Sequence, residues 1–147
     1  MVDVIERGEP ALMLGHWTGV WWNGQKLGLK VWQDVVRRLH ARFDNLLWMK
    51  LSEVSRYWAA KELTRIERAG NRVALRAPFA CPDFTMRFTA PANSRPRFAS
   101  GQQPSTPLSP VAKLLDLKPG TFHRDGGKLT LCFNLPKGNS ELRWIID

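Results

Sequence analysis

From Leu29 to Phe43 the apolar residues Leu29, Trp32, Val35, Val36, Leu39 and Phe43 recur at spacings of three and four. Lys30, Gln33, Asp34, Arg37 and Arg38 fill the positions between them. That period predicts an amphipathic helix from Leu27 to about Phe43. Two short apolar runs flank it, "ALML" before and "LLWM" after, and each reads as a buried strand. Ser52 is a good helix N-cap, and Val54, Tyr57 and Trp58 follow it on a second predicted helix to about Ala60. Residues 1–61 therefore read as a β-α-β-α unit, of the kind that belongs in a parallel sheet or barrel.

Near Lys61 the period changes to two. "LTRIER" and "RVALRAP", joined through Ala69-Gly70-Asn71, form a predicted hairpin in which Val73, Leu75 and Ala77 alternate with Ala74 and Arg76. "FTMRFTA" and "LTLCFNL" alternate in the same way, and "ELRWIID" brings Leu142, Trp144 and Ile146 to one face. Half-buried antiparallel strands of this kind build a β-sandwich, with Phe84, Met86, Phe88, Leu129, Leu131, Phe133 and Trp144 in one core. Five of the ten prolines fall between Pro91 and Pro110, which predicts a long loop at 91–110, followed by a short helix "VAKLLDL". The expected fold class is α+β: the β-α-β-α unit, then an antiparallel β-sandwich-like region over residues 62–147.

Composition adds little to the fold and more to the partners. Apolar residues make up 44% of the 147 and charged residues 24%, ordinary for a globular chain. No apolar stretch is long enough to cross a bilayer. The start, "MVDVIERGEP", has no signal-peptide character, so the expected location of the chain as given is cytoplasmic, with no membrane partner. A formal charge of +9 is a footprint for meeting polyanions, although the basic residues are dispersed. Cys81 and Cys132 form no C-x-x-C pair, and reduced thiols are expected of a chain without a secretion signal.

The stretch "GHWTGVWWNGQKLG" holds three of the seven tryptophans. Trp17, Trp21 and Trp22 could stack on sugar rings, with Asn23 or Gln25 bonding hydroxyls; the alternative is that they pin the loop to the helix through Trp32. His16, at the end of the predicted strand, stands where a barrel presents a catalytic group.

Residues 10–60 resemble the last β-α-β-α segment of polysaccharide-deacetylase-like proteins, whose deformed barrel can carry an appended β-sandwich. The features that carry the resemblance are Leu12 through His16 as a Leu-x-x-His motif, Trp48 in the second strand, and Ser52-Glu53-Val54 through Tyr57. Trp17 stands where that family often has an acid. The resemblance implies His16 as the general acid, and the sugar-stacking reading of Trp17, Trp21, Trp22 and Asn23 would make them its substrate contacts. It also implies that the family's metal ligands, an Asp and an H-x-x-x-H pair, lie in strands preceding this segment. His16, His40 and His123 show no ligand spacing, so no metal or cofactor is expected on this chain; zinc belongs to a longer protein.

Three functions follow. The first is the C-terminal portion of a deacetylase-like carbohydrate-active protein, a hydrolase only when joined to a metal-binding region and acting on a polysaccharide or oligosaccharide. The second is a basic β-sandwich module that binds an anionic glycan or, less favoured, a nucleic acid. The third is a homodimer or partner-chain contact on the N-terminal half, whose apolar strands need cover on both faces.

Overall fold

The computed structural model describes residues 1–101 and 103–146 of the chain, and the Ile146 side chain expected on the core face lies outside what is described. It divides into two compact units, Met1–Met49 and Lys50–Asp147. Among the described residues no helix is long and apolar enough to cross a membrane.

The first unit contains helices α1 (Val2–Glu6), α2 (Trp17–Val20) and α3 (Leu27–Arg42), with a single 3-10 turn at Trp22–Gly24. Helix α3 matches the three-and-four spacing and ends where Phe43 turns extended, φ −125°. On its outer face Asp34 bonds both Arg37 and Arg38. The Arg37 hydrogen bond, foremost, holds the Asp34 carboxyl below its ordinary pKa. The two flanking strands do not form. Residues 11–14 and 46–49 carry no ladder, and Leu12, Leu14 and Leu47 are exposed. Two four-residue runs make a poor sheet without a third strand to bury them, so apolar content alone misread them. Instead Trp48 Nε1 donates to His40 Nε2 at 2.9 Å, tying the second run to α3. The β-α-β part of the expected front unit is thus corrected to helices joined by extended chain.

The second unit opens with α4 (Leu51–Leu63), which starts one residue before Ser52. The Lys50 backbone N–H donates to the Glu53 carboxylate at 2.7 Å, satisfying one orphan donor and placing a negative charge at the positive end of the helix. Nine strands follow: β1 (Arg65–Ala69), β2 (Arg72–Ala77), β3 (Cys81–Thr89), β4 (Ser94–Ser100), β5 (Thr106–Pro107), β6 (Ser109–Val111), β7 (Thr121–Asp125), β8 (Lys128–Leu135) and β9 (Gly138–Ile146). They form two sheets, ordered β1-β2-β9-β4-β5 (sheet A) and β3-β8-β7-β6 (sheet B). The hairpin at Gly70-Asn71 joins β1 to β2 as predicted, with Arg65 opposite Arg76 and Ala69 opposite Arg72.

The sheets meet over one core. Phe98 of sheet A lies 4.6 Å from Phe133 of sheet B, ring to ring, and Phe88 lies 5.0 Å from Trp144. Phe84, Leu129, Leu131, Phe133 and Trp144 are buried in it, and Met86 and Phe88 pack against it partly buried. Helix α4 belongs to this unit, so the boundary falls at Lys50 rather than near Lys61. Ala60 is 1% exposed within the core, and the Tyr57 ring lies 5.7 Å from Phe84. Strand β3 is an edge of sheet B, and α4 covers it. Tyr57 Oη accepts the Thr85 backbone N–H at 3.3 Å and contacts Thr85 Oγ1 at 2.6 Å. An edge N–H that would otherwise invite another strand is thereby occupied.

The proline-rich stretch 91–110 is not a long loop: it holds β4, β5 and the start of β6. Pro96 stands opposite Trp144 of β9, whose N–H turns the other way to the Asn71 carbonyl, and the Pro96 carbonyl accepts the Leu108 N–H at 3.0 Å. The missing proline N–H therefore faces away from β9 and takes no hydrogen bond from the β4–β9 ladder. The "VAKLLDL" helix is likewise replaced, by β6 running parallel to β7 and a 3-10 turn at Leu114–Asp116. Cys81 and Cys132 are both buried and free. Burial pushes both thiols up, Cys132 to about 11.

Two outcomes are expected. Tyr57→Phe removes the acceptor for the Thr85 N–H and should cost about 1–2 kcal/mol, read as a lower urea midpoint; an unchanged midpoint would mean that water replaces the hydroxyl at no cost. The neutral thiol of Cys132 favours the folded state below its ordinary pKa of 9.0, and this contribution is lost as pH rises through about 11. The native chain should therefore resist a thiol reagent at mildly alkaline pH, and both cysteines should react once it is unfolded.

Candidate functional site

The tryptophan loop of the first unit is held by two close approaches. A Cβ on Gly28 would overlap the Gly19 carbonyl oxygen and lie 2.8 Å from Val20 Cα, so only glycine lets α3 start against α2. A Cβ on Gly15 would lie 2.5 Å from Trp32 Cζ2, which seats the indole of Trp32 on the backbone before His16. His16 is the N-cap residue of α2, φ −86° and ψ 141°, and its carbonyl accepts the Gly19 and Val20 N–H groups at 3.0 and 3.3 Å. Its position is therefore a helix start and not the end of a barrel strand. The imidazole is exposed and has no hydrogen-bond partner among the described residues.

The neighbouring rings stay on the surface. Trp17 is 74% exposed and Trp22 61%, while Trp21 at 38% is half-covered. Trp17 and Trp21 stand 6.0 Å apart at 48°, and Lys26 Nζ sits 5.0 Å over the Trp21 ring. Asn23 holds a left-handed conformation, φ 47°, beside Gly24. The loop thus offers a cation-backed aromatic pair, but the two rings are tilted and form no flat platform. No cluster of three potential metal ligands occurs among the described residues.

A second surface lies on sheet A. Along each strand the core-facing residues alternate with residues pointing outward: Val73, Leu75 and Ala77 inward on β2, Ser140, Leu142 and Trp144 inward on β9, Ser94 and Pro96 inward on β4. The outward set carries Arg65, Arg72, Arg76, Arg95, Arg97 and Arg143, against Glu67 and Glu141 among the described residues. The register sorts them into rows. Arg72, Arg143 and Arg97 stand directly opposite one another across β2, β9 and β4, and Arg65, Arg76 and Asn139 across β1, β2 and β9. Between these lies the row Glu67, Ala74, Glu141 and Ala99. Adjacent strands are roughly 4.8 Å apart, so each basic row spans about 10 Å.

Like charges directly opposite are destabilising in a sheet, and the middle row offsets them. Glu141 bonds both Arg72 and Arg143. Arg97 is held at the far side by Ser105, Nε to Oγ 2.9 Å. The small side chain of Ala74 leaves a groove of about 380 Å³, walled by Arg65, Arg72, Arg76, Glu67 and Glu141. Sequence reasoning passed over this face, although its signal was there: arginines an even number of positions apart, four in "RVALRA" and two in "RPR". Alternation told which side each arginine takes; only the strand order showed that they share one sheet.

Searches against family models, curated proteins and solved structures find no match to the chain.

The glycine contacts give a paired test of the loop. Gly28→Ala should force α2 off α3 and destabilise the chain by about 1–3 kcal/mol, read by urea unfolding. Gly19→Ala, whose Cβ would meet nothing within 4 Å, should be close to neutral or stabilising. Equal behaviour of the two variants would contradict the close approach.

Proposed function

We propose that the second unit is a binding module for an acidic polysaccharide, which lies across the outer face of sheet A. The observation that carries this reading is the in-register row Arg72–Arg143–Arg97, with Arg65–Arg76 parallel to it. Guanidinium groups match carboxylate and sulfate oxygens with forked donors, and several in a row suit a polymer with repeated anionic groups. Glu67, Glu141 and Asn139 between and beside the rows add acceptors for hydroxyl donors. A glycan chain with acidic groups offers both chemistries; a nucleic-acid backbone offers the anions, and its bases would call for stacking rings. The outward residues of this face include no aromatic ring among those described.

A second reading keeps the expected tie to polysaccharide-deacetylase-like proteins in the first unit. It is favoured by the exposed rings of Trp17 and Trp22 in the loop that follows His16, which suit contact with a sugar. No chemistry follows for this chain alone. A neutral chitooligosaccharide should bind through Trp17, with Trp17→Ala weakening it, and no acetate should be released.

The main reading is tested by titrating a sulfated oligosaccharide, a uronate oligosaccharide, a neutral chitooligosaccharide and single-stranded DNA at several salt concentrations. One or both acidic glycans should bind, with affinity falling steeply as salt rises, because binding releases counterions. Arg76→Ala and Arg143→Ala should each reduce the salt slope by about one and weaken binding. Tighter binding of DNA than of either glycan, or indifference of glycan binding to both substitutions, would contradict the proposal.

A further inference from the structure

Strand β1 is an outer strand of sheet A, with β2 on one side and, among the described residues, no strand on the other. All five of its residues, Arg65 to Ala69, are exposed. Natural sheets usually protect such an edge with a covering element or with charges that repel another strand. The covering element is present on the edge strand of the other sheet, where Tyr57 occupies the Thr85 N–H of β3. On β1 the core-side Arg68 donates to the Thr89 carbonyl and lies over the Trp144 ring, and the two other charges are arranged differently. Arg65 and Glu67 flank Ile66 with opposite signs, and neither has an ion-pair partner among the described residues. Arg65 instead stands directly opposite Arg76, a like charge. Ile66 points to the core side of the sheet, opposite Leu75, yet is 47% exposed.

We propose that β1 is the seam of a homodimer, in which it pairs antiparallel with β1 of a second copy in the register centred on Ile66. The sequence Arg-Ile-Glu is its own antiparallel complement. In that register each Arg65 faces Glu67 of the other copy, and the two Ile66 side chains face each other. Directly opposed residues on paired strands bring their Cβ atoms within about 4.5–5.5 Å, close enough for both ion pairs and the apolar contact. The countercharge that Arg65 lacks opposite Arg76 is supplied across the seam. A register one residue away would oppose Glu67 to Glu67, which the like charges disfavour; this selects one alignment. The two-fold axis of such a pairing runs perpendicular to the sheet. It sets both outer faces on the same side, so that the arginine rows of two copies extend one surface. The pairing stands on the edge and its charges alone, and does not require that the surface bind a glycan.

The test is sedimentation velocity on the full chain across the micromolar range, in low salt, with circular dichroism confirming the fold of each variant. The wild-type chain should form a dimer. Glu67→Arg, which sets arginine against arginine across the seam, should raise the dimer dissociation constant about tenfold or more, and Arg65→Glu should do the same from the other side. The exchanged pair, Arg65→Glu with Glu67→Arg, restores opposite charges in the same register and should recover the dimer. A wild-type monomer throughout the range would overturn the proposal. So would a dimer indifferent to both single changes, the result expected of association through the exposed apolar residues of the first unit. An exchanged pair that stays as weak as the singles would overturn the register.

Discussion

Face-to-face packing of two sheets constrains nearly everything else in the Lys50–Asp147 unit. Because side chains alternate sides along a strand, committing Leu75, Leu142, Trp144 and Pro96 to the core commits their neighbours to solvent. The ring contacts Phe98–Phe133 and Phe88–Trp144 fix which faces meet. A one-residue slip of β9 against β2 would turn Leu142 outward and Arg143 inward, burying a charge beside Val73. The register that protects the core is therefore the register that lines up Arg72, Arg143 and Arg97 outside.

That coupling explains how much could be read from the chain. The hairpin at Gly70-Asn71, the shared core of Phe84, Leu129, Leu131, Phe133 and Trp144, and helix α3 were legible because each has a clean period and a side to bury. "ALML" and "LLWM" were not, because four apolar residues in a row look alike whether they pair or merely lie extended. The proline-rich stretch misled for the opposite reason: proline argues against a central strand, yet β4 accommodates Pro96 where its missing N–H faces away from β9. Helix α4 was found, but its allegiance was hidden. Nothing in local sequence tells that Tyr57 reaches Thr85 on a strand more than twenty residues later.

The candidate sites divide along the same line. His16, Trp17, Trp21, Trp22 and Asn23 are neighbours in sequence, so their proximity was legible, but their geometry was not; His16 begins a helix and the rings tilt away from a common plane. The arginine face depends on strand order β1-β2-β9-β4, which brings residues 65 and 143 onto one surface. Dispersed basic charge along a chain is thus weak evidence against a basic patch when the fold is a sheet. The charged middle row matters equally. Glu141 between Arg72 and Arg143 lets the rows stand without mutual repulsion dominating, and it gives the groove an acceptor as well as donors.

Arginine footprinting tests the central claim most directly. The folded chain is treated with an arginine-selective dicarbonyl reagent, with and without a bound acidic oligosaccharide, and modification is located by peptide mass analysis. Protection concentrated at Arg72, Arg76 and Arg143, with Arg37 and Arg38 of α3 unchanged, is the result that follows from a ligand lying across sheet A. Protection centred on α3, or spread evenly over all exposed arginines, would contradict it.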